Sequence, residues 1–158
     1  MPAIETNSFS IEFPNSWIHG YSKRGASLNG PSGEVVILQS ILIHGNGKKE
    51  QLQNVKDALI HNAEETMQSA IKDPNLEIVE KLKNEVLKNG SDMVSLHLKS
   101  VDGDTVFSEY SIAGPSNLIY ITFEASTEKD SSRAIVEESI HNMVFANNSS
   151  NKPWWKFW

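Results

Sequence analysis

The hydrophobic and polar positions between Leu76 and Ala125 alternate in four successive runs, which is the pattern of strands that turn one face to a core. Asn-Gly, Asp-Gly and Gly-Pro pairs at 89–90, 102–103 and 114–115 separate the runs, and such pairs are typical of tight turns. Alternating strands that are joined by short turns form an antiparallel meander. We therefore predict four consecutive antiparallel strands in this region.

The alternation also predicts which side chains of the meander point inward. The strands are predicted at Leu76–Leu87, Met93–Val101, Thr105–Ile112 and Leu118–Ala125. Their inward residues are predicted to be Leu76, Ile78, Leu82, Val86, Val94, Leu96, Leu98, Val106, Tyr110, Ile112, Ile119, Ile121 and Phe123. Because side chains alternate between the two faces of a strand, each set would pack on one side of the sheet.

Two further strands are predicted before the meander. Phe9–Phe13 alternates apolar and polar residues and stops at Pro14, which cannot continue a central strand. Glu34–Ile43 carries apolar residues on both faces, which predicts a strand that is covered on both sides within the sheet. Between them, Trp17 is expected in the core, and the polar, glycine-rich segment Lys23–Gly33 is expected to be a surface loop or hairpin connection.

Two amphipathic helices frame the meander. The first is predicted at Lys49–Ile71 and ends at Asp73-Pro74, because a residue before proline avoids the helical conformation. Its apolar stripe consists of Leu52, Val55, Leu59, Ala63, Met67 and Ala70. The second helix is predicted to begin at Ser131 or Ser132, either of which could cap it, and to continue to about Phe145.

These elements together predict an α+β fold. The expected architecture is an α/β/α sandwich with a mainly antiparallel sheet, one long helix after the second strand and a closing C-terminal helix. A chain of 158 residues fits one domain, which we assign to residues 1–146. Residues 147–158 are then a polar linker and an aromatic tail.

The tail is rich in aromatic residues, namely Trp154, Trp155, Phe157 and Trp158. Aromatic side chains in such number are typical of interfaces, because water disfavours their exposure. Three interpretations stay open: the tail covers an apolar groove of its own sheet, docks on another protein, or anchors the chain at a membrane surface.

The charge of the chain favours a protein partner over nucleic acid. The formal net charge is −6, from 14 basic and 20 acidic residues that are dispersed along the chain. Nucleic-acid binding requires a basic surface, whereas an acidic surface suits a basic protein, such as a basic toxin domain. Glu64 and Glu65 on the long helix are candidate partner-binding residues, the alternative being an ordinary solvated helix face.

The location predicted from the sequence is cytoplasmic. The chain contains no cysteine, which excludes a disulfide framework and agrees with a reducing compartment. Its first residues lack the basic and apolar regions of a secretory signal, and no apolar run approaches the roughly 20 residues of a transmembrane helix.

No motif in the chain indicates catalysis, a metal or a cofactor. Two histidines share a helical face with a carboxylate, in the pairs His61 with Glu65 and Glu138 with His141, but neither pair completes a metal-binding signature. The acidic triplet 102–104 lacks the later ligands of a calcium loop and is predicted to be a hairpin turn. We therefore predict a chain without metal or cofactor and do not expect an enzyme.

Several segments resemble the PsbP-like α/β/α sandwich superfamily, which includes bacterial DcrB-like proteins. The resemblance lies in Phe9–Pro14 followed by Trp17, in Glu109–Ile112, in Ile119–Phe123 and in Ile140–Phe145. Some DcrB-like proteins are chaperones for effectors of the type VI secretion system. The resemblance therefore implies a binding or adaptor role without catalysis.

Three hypotheses of function follow, in order of preference. The first is a bacterial protein-binding domain without catalytic activity, most simply a cytoplasmic immunity protein or a chaperone or adaptor for a secreted toxin effector of type VI or contact-dependent secretion. The second is a small-ligand or lipid-binding domain that uses the cleft between helix and sheet. An enzyme ranks third.

Overall fold

A seven-stranded antiparallel sheet lies at the centre of the computed structural model, which describes residues 2–145. The strands are β1 (Ala3–Glu5), β2 (Phe9–Glu12), β3 (Ile18–Gly20), β4 (Ala26–Asn29), β5 (Val35–Leu42), β6 (Leu76–Val86), β7 (Asp92–Ser100), β8 (Thr105–Ala113), β9 (Asn117–Ser126) and β10 (Val144–Phe145). The helices are α1 (Lys48–Lys72) and α2 (Ser132–His141), with a short 3-10 turn at Thr127–Lys129. The aromatic tail lies outside the described residues.

The sheet separates two layers. Its strand order is β3-β4-β5-β9-β8-β7-β6, and a second sheet has the order β1-β2-β10. Residues of α1 pack on one face of the large sheet, whereas α2 and the small sheet pack on the other. The predicted α+β sandwich with a mainly antiparallel sheet, a long helix and a closing helix is therefore confirmed.

The predicted meander is confirmed as β6 to β9, but its inward residues lie on two faces instead of one. Val94, Leu96 and Leu98 of β7 pack toward α1, whereas the predicted sets of β8 and β9 pack toward α2 and the small sheet. The central strands bear apolar side chains on both faces, so alternation alone does not choose between them. The prediction for Val86 is wrong, because this side chain of the sheet edge is 65% exposed.

The strand predicted at 34–43 was expected to be covered on both faces, and this is correct only for its first half. Val36 and Leu38 are buried, but Ile41 and Leu42 are 57% and 53% exposed. The neighbouring strand β4 pairs with β5 only from Val35 to Leu38. Beyond that point β5 is a local edge of the sheet, and its apolar side chains stay open to solvent.

The last helix is shorter than predicted. It ends at His141, and the next residues form β10, in which Val144 and Phe145 pair with Ser10 and Phe9. The rings of Phe9 and Phe145 meet edge to face at 6.5 Å, which stabilises this short pairing.

The start of α2 is held by a tertiary contact. Ser131 occupies the cap position but its side chain forms no capping hydrogen bond. The hydroxyl of Ser132 instead donates to the buried Glu34 carboxylate at 2.7 Å, which ties α2 to the turn between β4 and β5. The predicted side-chain cap is therefore wrong.

Candidate functional site

A groove of about 390 Å³ lies between α1 and the large sheet, and we call it the α1 groove. Three carboxylates line it, those of Glu65, Asp73 and Glu109. Apolar side chains, including the exposed Ile41, form part of its wall. Within the described chain, no lysine, arginine or histidine lines the groove. The groove therefore combines an acidic lining with apolar surface.

One wall of the α1 groove is a single side of helix α1. Asn62, Glu65, Thr66 and Ser69 line the groove and follow one another at spacings of one, three or four residues, which places them along the same side of α1. The side-chain amide of Asn62 donates to the hydroxyl of Ser111 at 2.7 Å, which connects this wall to the sheet. The wall that carries Glu65 is thus held against the sheet.

The sheet supplies the opposite wall through Glu109 and Tyr120. The Tyr120 hydroxyl lies near the Glu109 carboxylate and near Thr66 of α1. Burial raises the pKa of Glu109, and burial together with the charge of Glu109 raises the pKa of Tyr120. Half-buried carboxylates with perturbed pKa values are common at functional sites, because a compensating charge on a ligand offsets their burial.

Of the two glutamates predicted on the long helix, only Glu65 lines the α1 groove. Glu65 also forms an exposed pair with His61, at 3.0 Å from Nε2 to Oε1. Such a surface pair contributes little stability. Glu64 does not line the groove, but it lines a shallow exposed depression together with Glu65, Gln68 and Lys72. Trp154, Trp155, Phe157 and Trp158 lie outside the described residues, so their predicted role stays a prediction.

A second group of polar side chains is buried beneath α2, and we call it the His97 cluster. His97 is 4% exposed, and its Nδ1 lies 2.7 Å from the Ser108 hydroxyl. Its Nε2 lies 3.8 Å from Glu137 of α2 and 4.0 Å from Glu80 of β6. Arg133 of α2 approaches the same Glu80 at 3.9 Å. The cluster therefore joins the sheet edge to the helix.

The hydroxyl of Tyr110 adds an unsatisfied group to the His97 cluster. It is buried and forms no hydrogen bond with the described residues. The tyrosine ring meets the His97 ring edge to face at 5.9 Å. Burial and the negative charge of Glu137 both raise the pKa of Tyr110, so this hydroxyl stays protonated.

Serine, histidine and carboxylate in contact suggest a nucleophilic triad, but burial argues against this interpretation. Ser108 is 1% exposed, so a substrate carbonyl has no path to its hydroxyl in this conformation. The serine and the histidine lie on neighbouring strands, directly opposite each other in the ladder. We interpret the set as a structural network within the core.

The histidines also pair separately instead of forming one cluster. His141 of α2 contacts Glu85 of β6 at 3.5 Å, whereas Glu138 lines a groove beside β2. Among residues 2–145, no three histidine, aspartate or glutamate side chains come together as a metal site.

Sequence reasoning missed Glu109, Tyr120, His97 and Ser108. Glu109 and His97 are titratable residues in the middle of β8 and β7, which is a signal that a search for such residues within central strands could have found. The contacts of these side chains depend on strand register and on helix packing, which no sequence motif indicates.

Neither helix of the described chain is long and apolar enough to cross a membrane. No family model matches the sequence, and no curated protein matches it.

The solved structures do provide a similar protein. The solution structure of cyanobacterial PsbP (CyanoP) from Synechocystis matches with a TM-score of 0.55 and 14% sequence identity, and the match covers 88% of this chain and 87% of that chain. At this identity the similarity concerns the fold alone. The chain therefore has a PsbP-like fold.

Proposed function

We propose that this chain is a bacterial protein-binding domain without catalytic activity, and that it holds a basic partner in the α1 groove. The observation that carries the proposal is the lining of the groove, which among the described residues contains three carboxylates and no lysine, arginine or histidine. Outside the lining, His61 pairs with Glu65, and the charge of Arg24 acts on Glu109. A lysine or arginine side chain of a partner would place a positive charge inside the groove, between these carboxylates. The exposed apolar side chain of Ile41, which lines the groove, would add contact area.

The partner that we propose is a secreted toxin effector with a basic domain. In this proposal the chain is a cytoplasmic immunity protein or a chaperone or adaptor of type VI or contact-dependent secretion. The net charge of −6 supports it, because complementary charge accelerates the encounter of two proteins. The PsbP-like fold is compatible with this role and does not specify it.

Affinity capture with charge-matched variants tests the proposal. The groove variant is Glu65→Gln with Asp73→Asn, and the control is Glu64→Gln with Asp57→Asn, which removes the same charge from exposed positions of α1 outside the groove. We expect the wild-type chain and the control to retain a basic protein from a lysate of the source bacterium, and the groove variant to lose it. Equal retention by both variants would reject the groove as the partner site.

The same captured protein separates the two roles. An immunity protein should block the toxic activity of its partner at a one-to-one ratio, whereas a chaperone should raise the soluble yield of its partner without blocking that activity. A captured protein with no toxic activity would reject both roles.

A second candidate is the binding of a small organic cation in the α1 groove. The groove volume of about 390 Å³ falls within the range of small-molecule sites, roughly 300–1,000 Å³. Spermidine and agmatine are suitable probes, because each carries separated positive charges. A saturable rise of the melting temperature that the groove variant lacks would favour this candidate over a protein partner.

A further inference from the structure

His97 is the one histidine of the described chain that is buried, and it lies where three elements meet. It projects from β7, the strand that is next to the sheet edge. Its ring is covered by side chains of the edge strand β6 and of α2. A change of charge on this ring therefore acts on the contact between α2 and the edge of the sheet.

Every element around His97 contributes a titratable or charged group. The surrounding groups are Ser108 and Tyr110 of β8, Glu80 and Lys83 of β6, Asp130 of the turn before α2, and Arg133 and Glu137 of α2. Two of the three side chains that interact most directly through charge, Glu137 and Arg133, belong to the helix, and the third, Glu80, belongs to the edge strand.

The neutral imidazole fits this environment. Its Nδ1 is engaged by the Ser108 hydroxyl at 2.7 Å, while its Nε2 lies 3.8 Å and 4.0 Å from the two carboxylates, which is too long for a hydrogen bond. A protonated ring would be a buried cation near the partly exposed Arg133 of α2. The Glu80 carboxylate is already shared with Arg133, at 3.9 Å.

We propose that His97 is an acid-sensitive latch between α2 and the sheet edge, and that its protonation releases α2 from the sheet. Burial and the Arg133 charge lower the pKa of His97. Burial, together with the charge of Glu85, raises the pKa of Glu137. The free energy of unfolding is therefore highest above a pH of about 6.5, the pKa of histidine in the unfolded state. It decreases as the pH falls from there toward the lower pKa of His97 in the folded state.

The latch would act on a different face from the α1 groove. Helix α2 also forms one wall of a groove of about 390 Å³ beside the small sheet, where Ile135, Glu138 and Ser139 face Glu12 and Phe13. Release of α2 would remodel this second groove and leave α1 in place. The inference is therefore independent of the proposed partner site.

Hydrogen exchange of the full chain at pH 7.0 and pH 5.5, corrected for intrinsic exchange rates, tests the latch. The variants are His97→Gln, which keeps a polar partner for Ser108 but cannot take up a proton, and His19→Gln as the exposed control. We expect peptides of α2 to lose several-fold protection at pH 5.5 in the wild-type chain and in the control, up to about eightfold for one proton taken up by a group whose pKa in the unfolded state is about 6.5. In His97→Gln, α2 should stay protected at both pH values, and α1 should stay protected in all three proteins.

Three results would overturn the latch: constant protection of α2 in the wild-type chain, the same acid loss in His97→Gln, or an equal loss in α1, which would indicate general unfolding. Nuclear magnetic resonance of the His97 ring in the wild-type chain gives a second criterion that needs no variant. Its titration midpoint must coincide with the opening of α2, and a ring that titrates without this opening would also reject the proposal.

Discussion

Replacing Trp17 with alanine should lower the free energy of unfolding by about 3–5 kcal/mol. The indole is 2% exposed and packs on the ring of Phe13 at a centroid distance of 5.2 Å, within the core that joins the two sheets. Truncation removes this buried apolar area and leaves a cavity that the surrounding strands can only partly fill. Urea denaturation followed by circular dichroism measures the loss.

The control for this prediction is Tyr21→Ala, because Tyr21 is an aromatic residue of the same loop region and is 88% exposed. We expect its effect to be within about 0.5 kcal/mol. A loss below about 1 kcal/mol for Trp17→Ala would contradict the described packing between the sheets.

Replacing Glu109 with glutamine should weaken binding of the basic partner while leaving the fold intact. The substituted amide would keep the shape of the side chain, but it would remove the charge of the half-buried member of the three groove carboxylates. Loss of one member of a buried charge pair costs about 2 kcal/mol or more, which is about thirtyfold in affinity. Isothermal titration calorimetry with the captured partner measures this loss.

The same variant should be as stable as the wild-type chain at pH 7, or more stable. Burial raises the pKa of Glu109, so the ionised carboxylate opposes folding at every pH above its folded pKa. Glutamine removes this cost, and the advantage of the variant should vanish in acid, where the wild-type side chain is protonated. Glu124→Gln on the exposed surface of β9 is the matched control and should change neither affinity nor stability. A variant that binds normally would exclude Glu109 from the partner site.

Periodicity predicted the long elements of this fold well. The four meander strands and α1 each extend over nine residues or more, so their alternation or helical stripe repeats several times. Tight turns with glycine at positive φ, such as Gly90 and Gly103, fixed the order of the strands.

Periodicity did not predict several of the short strands. β1, β3, β4 and β10 contain two to four residues each, which is too few for alternation to be seen. Their pairing depends on contacts between distant parts of the chain, such as that of Phe145 with Phe9. The end of α2 was misplaced for the same reason, because Val144 and Phe145 continue an apolar pattern that either a helix or a strand can use.

The candidate site was predictable only in part. Glu65 was identified because charged residues on an amphipathic helix are visible in sequence. Glu109 and Tyr120 were not, because their contact depends on the register of β8 with β9 and on the position of α1 above them. The tight pairing of His97 with Ser108 likewise follows from the register of β7 with β8.

The position of the bound partner on the domain tests the central proposal most directly. Hydrogen exchange of the domain, with and without the captured partner, locates the surface that the partner covers. We predict increased protection in the second half of α1 and around Tyr120 of β9, with no change in α2. Protection that is confined to α2, to the small sheet or to the edge strand β6 would contradict the assignment of the α1 groove.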